Sequence, residues 1–232
     1  MFLPLHDGVA LLHLRRAFVT IIIVLLNTGI FIAGVTGLSG DIDNRDLSLG
    51  LIPAVLTGKA SLSVQLATVP SVLTPFTSTF LHGGLVHLAG NMMFLWVFGD
   101  NVEDAMGHVR FLVFYLLCGA CAGLAYVYMF PASQSPLIGA SGAISGVAAA
   151  YLVMHPRVRV FGLLFNWIPA VAPAFVLIGV WIAYQIFFAV SGGDSEVGWW
   201  AHVGGIAAGV LLLPVFRHWR ASPPPASADT TS

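Results

Sequence analysis

Ser141 stands in the run Gly139-Ala140-Ser141-Gly142, His202 lies in a stretch rich in alanine and glycine, and His82, His87 and Asn91 share one short segment. A serine hydroxyl is a weak nucleophile until a neighbouring base takes its proton, and a histidine is the commonest such base. The flanking glycines let backbone approach closely, and a helix beginning near Ser141 would present free N–H groups able to hold an oxyanion. On a helix His87 and Asn91 are an i, i+4 pair and share a face. Nucleophile, base and oxyanion donors together make acyl transfer. Each piece alone has a plainer reading. The small residues around Ser141, like Gly205-Ile206-Ala207-Ala208-Gly209, fit helix packing. A single histidine at the end of an apolar stretch, such as His155 or His218, fits an interfacial position. The weight therefore rests on whether the elements bring the pieces together.

Those elements are set by the composition. The chain has 232 residues, 58% hydrophobic and 8% charged, whereas a soluble domain carries about 25% charged residues. It reads as a polytopic membrane protein with the lipid bilayer as its surroundings. A net charge of -1 offers nothing to nucleic acid. Cys118 and Cys121 lie among apolar residues and read as thiols packing as small side chains, with no disulfide framework. Residues 17 to 40 contain no Asp, Glu, Lys or Arg, too long a stretch for a signal-peptide core of about 7–15 residues. It is a permanent span.

At about 20 apolar residues per crossing, the uncharged runs divide into six spans, near 17–37, 81–99, 110–130, 140–155, 172–190 and 199–216. Pro131 and Pro136 bracket the turn between the third and fourth. The short fourth span, with Gly139, Gly142 and Gly146 near its start, is expected at the centre of an all-α bundle. Residues 1–16 precede the six-helix domain at 17–216, and 217–232 follow as a Pro- and Ser-rich tail expected to be disordered. The first outer loop, about 38–78, is long, with broken apolar stretches suited to partial insertion at the interface.

Basic residues favour the cytoplasmic side. With both termini inside, that side holds Arg15, Arg16, Arg110, Arg157, Arg159, Arg217 and Arg220, against Arg45 and Lys59 outside. In this orientation the second, fourth and sixth spans all begin at the outer face, so His82, His87, Asn91, Ser141 and His202 converge there. Ionisable groups at membrane depth cost on the order of 3 kcal/mol each and mark function. Asp100, Glu103 and Asp104 fall at the far end of the second span, roughly 20 Å from His87 at 1.5 Å per residue. Asp194 and Glu196 would approach only if their loop folded inward. The sequence thus favours a Ser–His dyad over a triad.

The chain resembles the rhomboid family of intramembrane serine proteases in its basic six-helix prokaryotic form. The resemblance is carried by HGGLVHLAGN from His82 to Asn91, by GASG around Ser141, and by AHVGGIAAG from Ala201 to Gly209. WVFGDNVED after the second span and the Tyr115 to Ala122 segment add to it. It implies a six-helix bundle with Ser141 as nucleophile and His202 as general base. The Ser141 N–H, with His87 and Asn91, would form the oxyanion site beside Gly139, and His82 would have a hydrogen-bonding, structural part. It also implies cleavage of transmembrane segments of other proteins near the outer face, with no metal or other cofactor, in a bacterial inner membrane with both termini cytoplasmic. Lateral entry past the fifth span would involve Trp181, Phe187 and Phe188. Ser145 stands where some members carry a tyrosine that stacks on the catalytic histidine, which leaves open what orients His202. The Trp-Arg pair of some first loops is absent as well. Neither the substrate nor the oligomeric state follows from the sequence. Two rivals remain: an inactive relative that binds membrane clients, against which the presence of both Ser141 and His202 argues, and a transporter or metal- or haem-binding protein built on His82, His87 and His202.

Overall fold

The computed structural model describes residues 2–38, 41–164, 167–193 and 197–217. Asp194, Glu196, His218 and the tail therefore lie outside the described residues. Six helices of fourteen or more residues dominate: α1 (Phe18–Val35), α5 (Leu85–Met106), α6 (His108–Met129), α7 (Ser141–Met154), α8 (Ala174–Ser191) and α9 (Trp199–Phe216). Four of them, α1, α6, α8 and α9, are long and apolar enough to cross a bilayer. A fifth crossing is formed if the turns at Ser71–Phe80 are joined to α5, from which they bend by 85°. α7, with 14 residues, is shorter than a crossing. The protein is thus an integral membrane protein of helical type.

α7 is the centre. Every residue from Gly142 to Tyr151 is buried, because α5, α6 and α9 pack around it. Its approach to α9 is so close that a Cβ at Gly205 would run into the carbonyl oxygen of Gly142, and one at Gly209 into that of Gly146. The small-residue stripe therefore does pack helices, and that packing is what sets the start of α7 against the start of α9.

The second span differs from its sequence reading. It begins at Leu85 and ends at Met106, instead of running from 81 to 99. His82 consequently precedes the helix, separated from it by Gly83 and Gly84. The helix continues past Asp100 because Glu103 and Asp104 are buried and saturated with donors. Glu103 accepts from the backbone N–H groups of Val19 and Thr20, at 2.9 and 2.7 Å, and from the Thr20 hydroxyl. This supplies the N-terminal cap that Ala17 cannot give α1. Asp104 accepts from three successive N–H groups, of Leu12, His13 and Leu14.

An all-α reading also omits a three-stranded antiparallel sheet, β1 (Phe2–His6), β2 (Arg159–Leu164) and β3 (Ile168–Pro173), in the order β1-β2-β3. Val160 pairs with Ala172 and Phe161 with Val171, and Leu3 of the N-terminal segment pairs with Leu163. Strands this short leave little trace in a window of about 20 residues. Burial of Val160 between exposed Arg159 and Phe161 is the period-two pattern such a window averages away.

The long first loop is folded. α2 (Ile42–Leu49) is capped by the Asp41 carboxylate, which accepts from Asp43 and Asn44 N–H. Two single-turn helices follow, α3 (Pro53–Leu56) and α4 (Thr74–Thr77). Arg45 is buried against Asp46, at 2.7 Å, and donates to the Ile30 carbonyl of α1. Leu51 exchanges backbone hydrogen bonds with Leu137, three residues ahead of Ala140. The loop so braces the strand-like approach to Ser141.

Candidate active site

Ser141 is the first residue of α7, where N–H groups lack acceptors within the helix. His202 lies in the first turn of α9. Its Nε2 is 2.8 Å from Ser141 Oγ, a hydrogen bond in which the hydroxyl donates when Nε2 is bare. Both residues are half-buried, as a site that must admit a reactant requires.

Two further predicted residues frame the space beside the hydroxyl. Gly139 has φ +125°, a conformation that L side chains rarely adopt, and its N–H donates to the Ser78 carbonyl at 2.9 Å. A Cβ there would lie 2.8 Å from His87 Nε2 and 3.7 Å from Ser141 Oγ. The missing side chain thus leaves open the volume between His87 and the hydroxyl. Nearby, a cavity of about 20 Å³ is lined by Ser78, Gly139, Ser141 and Ala201 among others, room enough for a single water.

Asn91 and His82 are buried and bonded to each other, Asn91 Nδ2 to His82 Nε2 at 3.0 Å. The His82 and His87 rings meet edge to face at 5.1 Å. His82, placed on the second span by sequence, is instead a pre-helix residue. It ties the approach segment to α5 and stands behind Asn91 and His87. The sequence-selected residues are therefore gathered in one place: Ser141, His202, Gly139 and His87 around the open volume, Asn91 and His82 immediately behind.

Ser145 does not reach His202, since its hydroxyl donates to the Ser141 carbonyl at 2.6 Å within α7. The Nδ1 of His202 is engaged by Gln185 Oε1 of α8 at 2.9 Å, and the Trp199 ring stands edge-on to the imidazole at 6.0 Å. Sequence reasoning passed over Gln185, although an amide inside the apolar run FVLIGVWIAYQIFFAV is the signal that would have found it, since polar side chains at membrane depth seek partners. Of the gate candidates, Phe188 stacks on Trp199 at 5.1 Å and Trp181 meets Phe94 of α5 at 5.4 Å, while Phe187 is exposed. Cys118 is buried and Cys121 exposed, both free. The sequence reading had both thiols packing as small side chains, but only Cys118 is buried.

The whole constellation falls inside the region matched by a protein-family model described as the Rhomboid domain, residues 70–219. Among curated proteins, the chain is 26% identical over 164 residues to "RHOMBOID-like protein 12, mitochondrial" of Arabidopsis thaliana, covering 63% of this chain and 47% of that protein. It is 29% identical over 153 residues to "Rhomboid protein 1, mitochondrial" of Saccharomyces cerevisiae, covering 62% and 41%. To "Rhomboid protease GluP" of Bacillus subtilis it is 34% identical over 148 residues, covering 62% and 26%. The matched region thus spans less than half the length of each of these relatives.

Proposed function

The chain belongs to the rhomboid family, and from that premise we propose that it is an intramembrane serine endopeptidase that cleaves transmembrane segments of other proteins. The observation that carries this reading is the 2.8 Å contact between Ser141 Oγ and His202 Nε2, made between two helices whose start points are locked together by glycines.

In the proposed reaction the Ser141 hydroxyl attacks the scissile carbonyl while His202 Nε2 takes its proton. The negative charge that develops on the carbonyl oxygen is received by N–H groups at the start of α7, joined by His87 across the volume that Gly139 keeps open. Asn91 contributes once its amide is shared between His82 and the oxyanion. Collapse of this intermediate passes the proton from His202 to the departing amine and leaves an acyl group on Ser141. Water entering from the outer face then hydrolyses the ester, with His202 again as base. Because helical carbonyls are already hydrogen bonded, the substrate helix must unwind before attack.

In this reading six helices cross the membrane, α5 and α7 included, with the dyad toward the outer face and both termini cytoplasmic, as the basic residues favour. The substrate enters between α5 and α8, where Trp181 packs on Phe94. Relatives named as mitochondrial stand beside one from a bacterium, so they do not favour a bacterial inner membrane. A serine-directed fluorophosphonate tests the reading. Wild type should be labelled and Ser141→Ala should not, with loss of cleavage of a transmembrane substrate in liposomes. Equal labelling of the two removes it.

A further inference from the structure

Between Ser141 on α7 and His202 on α9 the hydrogen bond has a direction, and something must set it. A neutral imidazole carries one N–H. If that hydrogen sat on Nε2, Ser141 would be its acceptor and could not surrender a proton to it. The base-competent tautomer needs the hydrogen on Nδ1 and a bare Nε2. Among the described residues, the group that meets Nδ1 is the side-chain carbonyl of Gln185, at 2.9 Å. A carbonyl oxygen only accepts, so its partner must be Nδ1–H.

Three features of α8 make this contact more than an incidental pairing. The helix buries only Ala174, Leu177, Ile178, Gln185 and Ala189, and Gln185, 4% exposed, is the polar member of that inward stripe. Aromatic contacts tie α8 to α9 at this level: Tyr184 and Phe188 meet at 4.4 Å, and Phe188 stacks on Trp199 of α9 at 5.1 Å with the planes 27° apart. Much of the rest of the helix is exposed and apolar, a setting in which a carboxylate would be costly, whereas an amide can orient the ring without introducing a charge. We propose that Gln185 is a positioning residue for His202, fixing the imidazole in the Nδ1–H tautomer with Nε2 toward Ser141. Productive geometry then depends on three helices, and it is lost when α8 moves away from α9. This deepens the serine-peptidase reading and rests on it for its catalytic consequence, but the hold itself is a property of the folded chain.

The test uses the full-length protein in nanodiscs with ¹⁵N-labelled histidine, the His202 signals being assigned by their disappearance in His202→Asn. Wild type should show His202 protonated at Nδ1, and Gln185→Leu should shift it toward Nε2–H. In parallel, fluorophosphonate labelling of Ser141 in Gln185→Leu should slow by at least about tenfold, a part of the 10²–10⁴ that general-base catalysis contributes as a whole. kcat on a transmembrane substrate should fall with KM kept. Gln185→Glu, which can still accept from Nδ1–H, should recover most of the rate, a rescue that a merely space-filling role would not give. If Gln185→Glu fails to fold, the tautomer of Gln185→Leu decides. An unmoved tautomer, or an unmoved labelling rate in Gln185→Leu where wild type is labelled, overturns the proposal. A wild type that resists the fluorophosphonate while Gln185→Leu still shifts the tautomer would sink the peptidase reading and leave the hold of Gln185 standing.

Discussion

Polar side chains are gathered at both ends of α5, yet the two ends are built on opposite terms. At the C-terminal end Glu103, Asp104 and Asp7 are buried acids with their acceptors filled: by the start of α1, by three consecutive amides of residues 12–14, and by Asn101 Nδ2 and Tyr151 OH. At the N-terminal end the groups are neutral residue types, two of them half-buried, arranged around a volume that Gly139 leaves empty. Acids saturated by backbone donors hold a fold together and have nothing left to offer a reactant. A hydroxyl bonded to one ring nitrogen, with space on its other side, retains its chemistry. Polar groups inside a membrane protein thus mark function by their unfilled side, more than by their presence.

The contrast can be broken most severely at the dyad. Ser141→Ala and His202→Ala should each reduce turnover to background, and because they act as one unit the double variant should lose no more than either. Additive losses in liposome cleavage assays would show that the two do not work together. Asn91→Ala removes one donor behind the oxyanion position, for which losses of about 10²–10³ in rate are typical. His82 should then lose its partner without the protein unfolding. A rate within threefold of wild type would leave Asn91 a purely structural partner of His82.

At the other end the expected effect is on stability. Glu103→Ala strands the N–H groups of Val19 and Thr20 in a buried setting, at a cost of about 1–3 kcal/mol for each unsatisfied group. The unfolding transition in detergent should move down accordingly, while Ser141 in the folded fraction keeps its fluorophosphonate labelling rate. A fall in labelling at unchanged stability would mean that the two ends are coupled. The smallest effect belongs to Ser145→Ala. Its hydroxyl back-bonds to the Ser141 carbonyl, an interaction that contributes little or slightly opposes helix stability. Turnover within about twofold of wild type is expected, and a large loss would show that this bond helps to place Ser141.

How much of this could be read beforehand varies residue by residue. Ser141 and His202 were legible because two apolar runs carried one reactive group each at the same depth, and depth follows from counting. Gln185 was not singled out, since one amide in an apolar run has no direction until the helix is rotated against its neighbour. The acids near residue 100 were recognised as remote from the site, but their partners lie more than eighty residues away in sequence, beyond any local pattern. The sheet escaped for a related reason: β1 finds β2 only after four long helices have intervened.

The sequence by itself determined the solvent and singled out the residues able to do chemistry. With so few charges and such long apolar runs the chain must satisfy its backbone within helices in lipid, and counting spans set Ser141 and His202 near the same face. Tertiary structure decided which nitrogen of His202 faces Ser141, through a carbonyl on a third helix. It also decided that α5 runs on past Asp100 to Met106, because burial with a full set of donors turns a helix-ending acid into a cap for another helix. Those decisions depend on rotation and register between elements, and these are fixed only when the side chains pack.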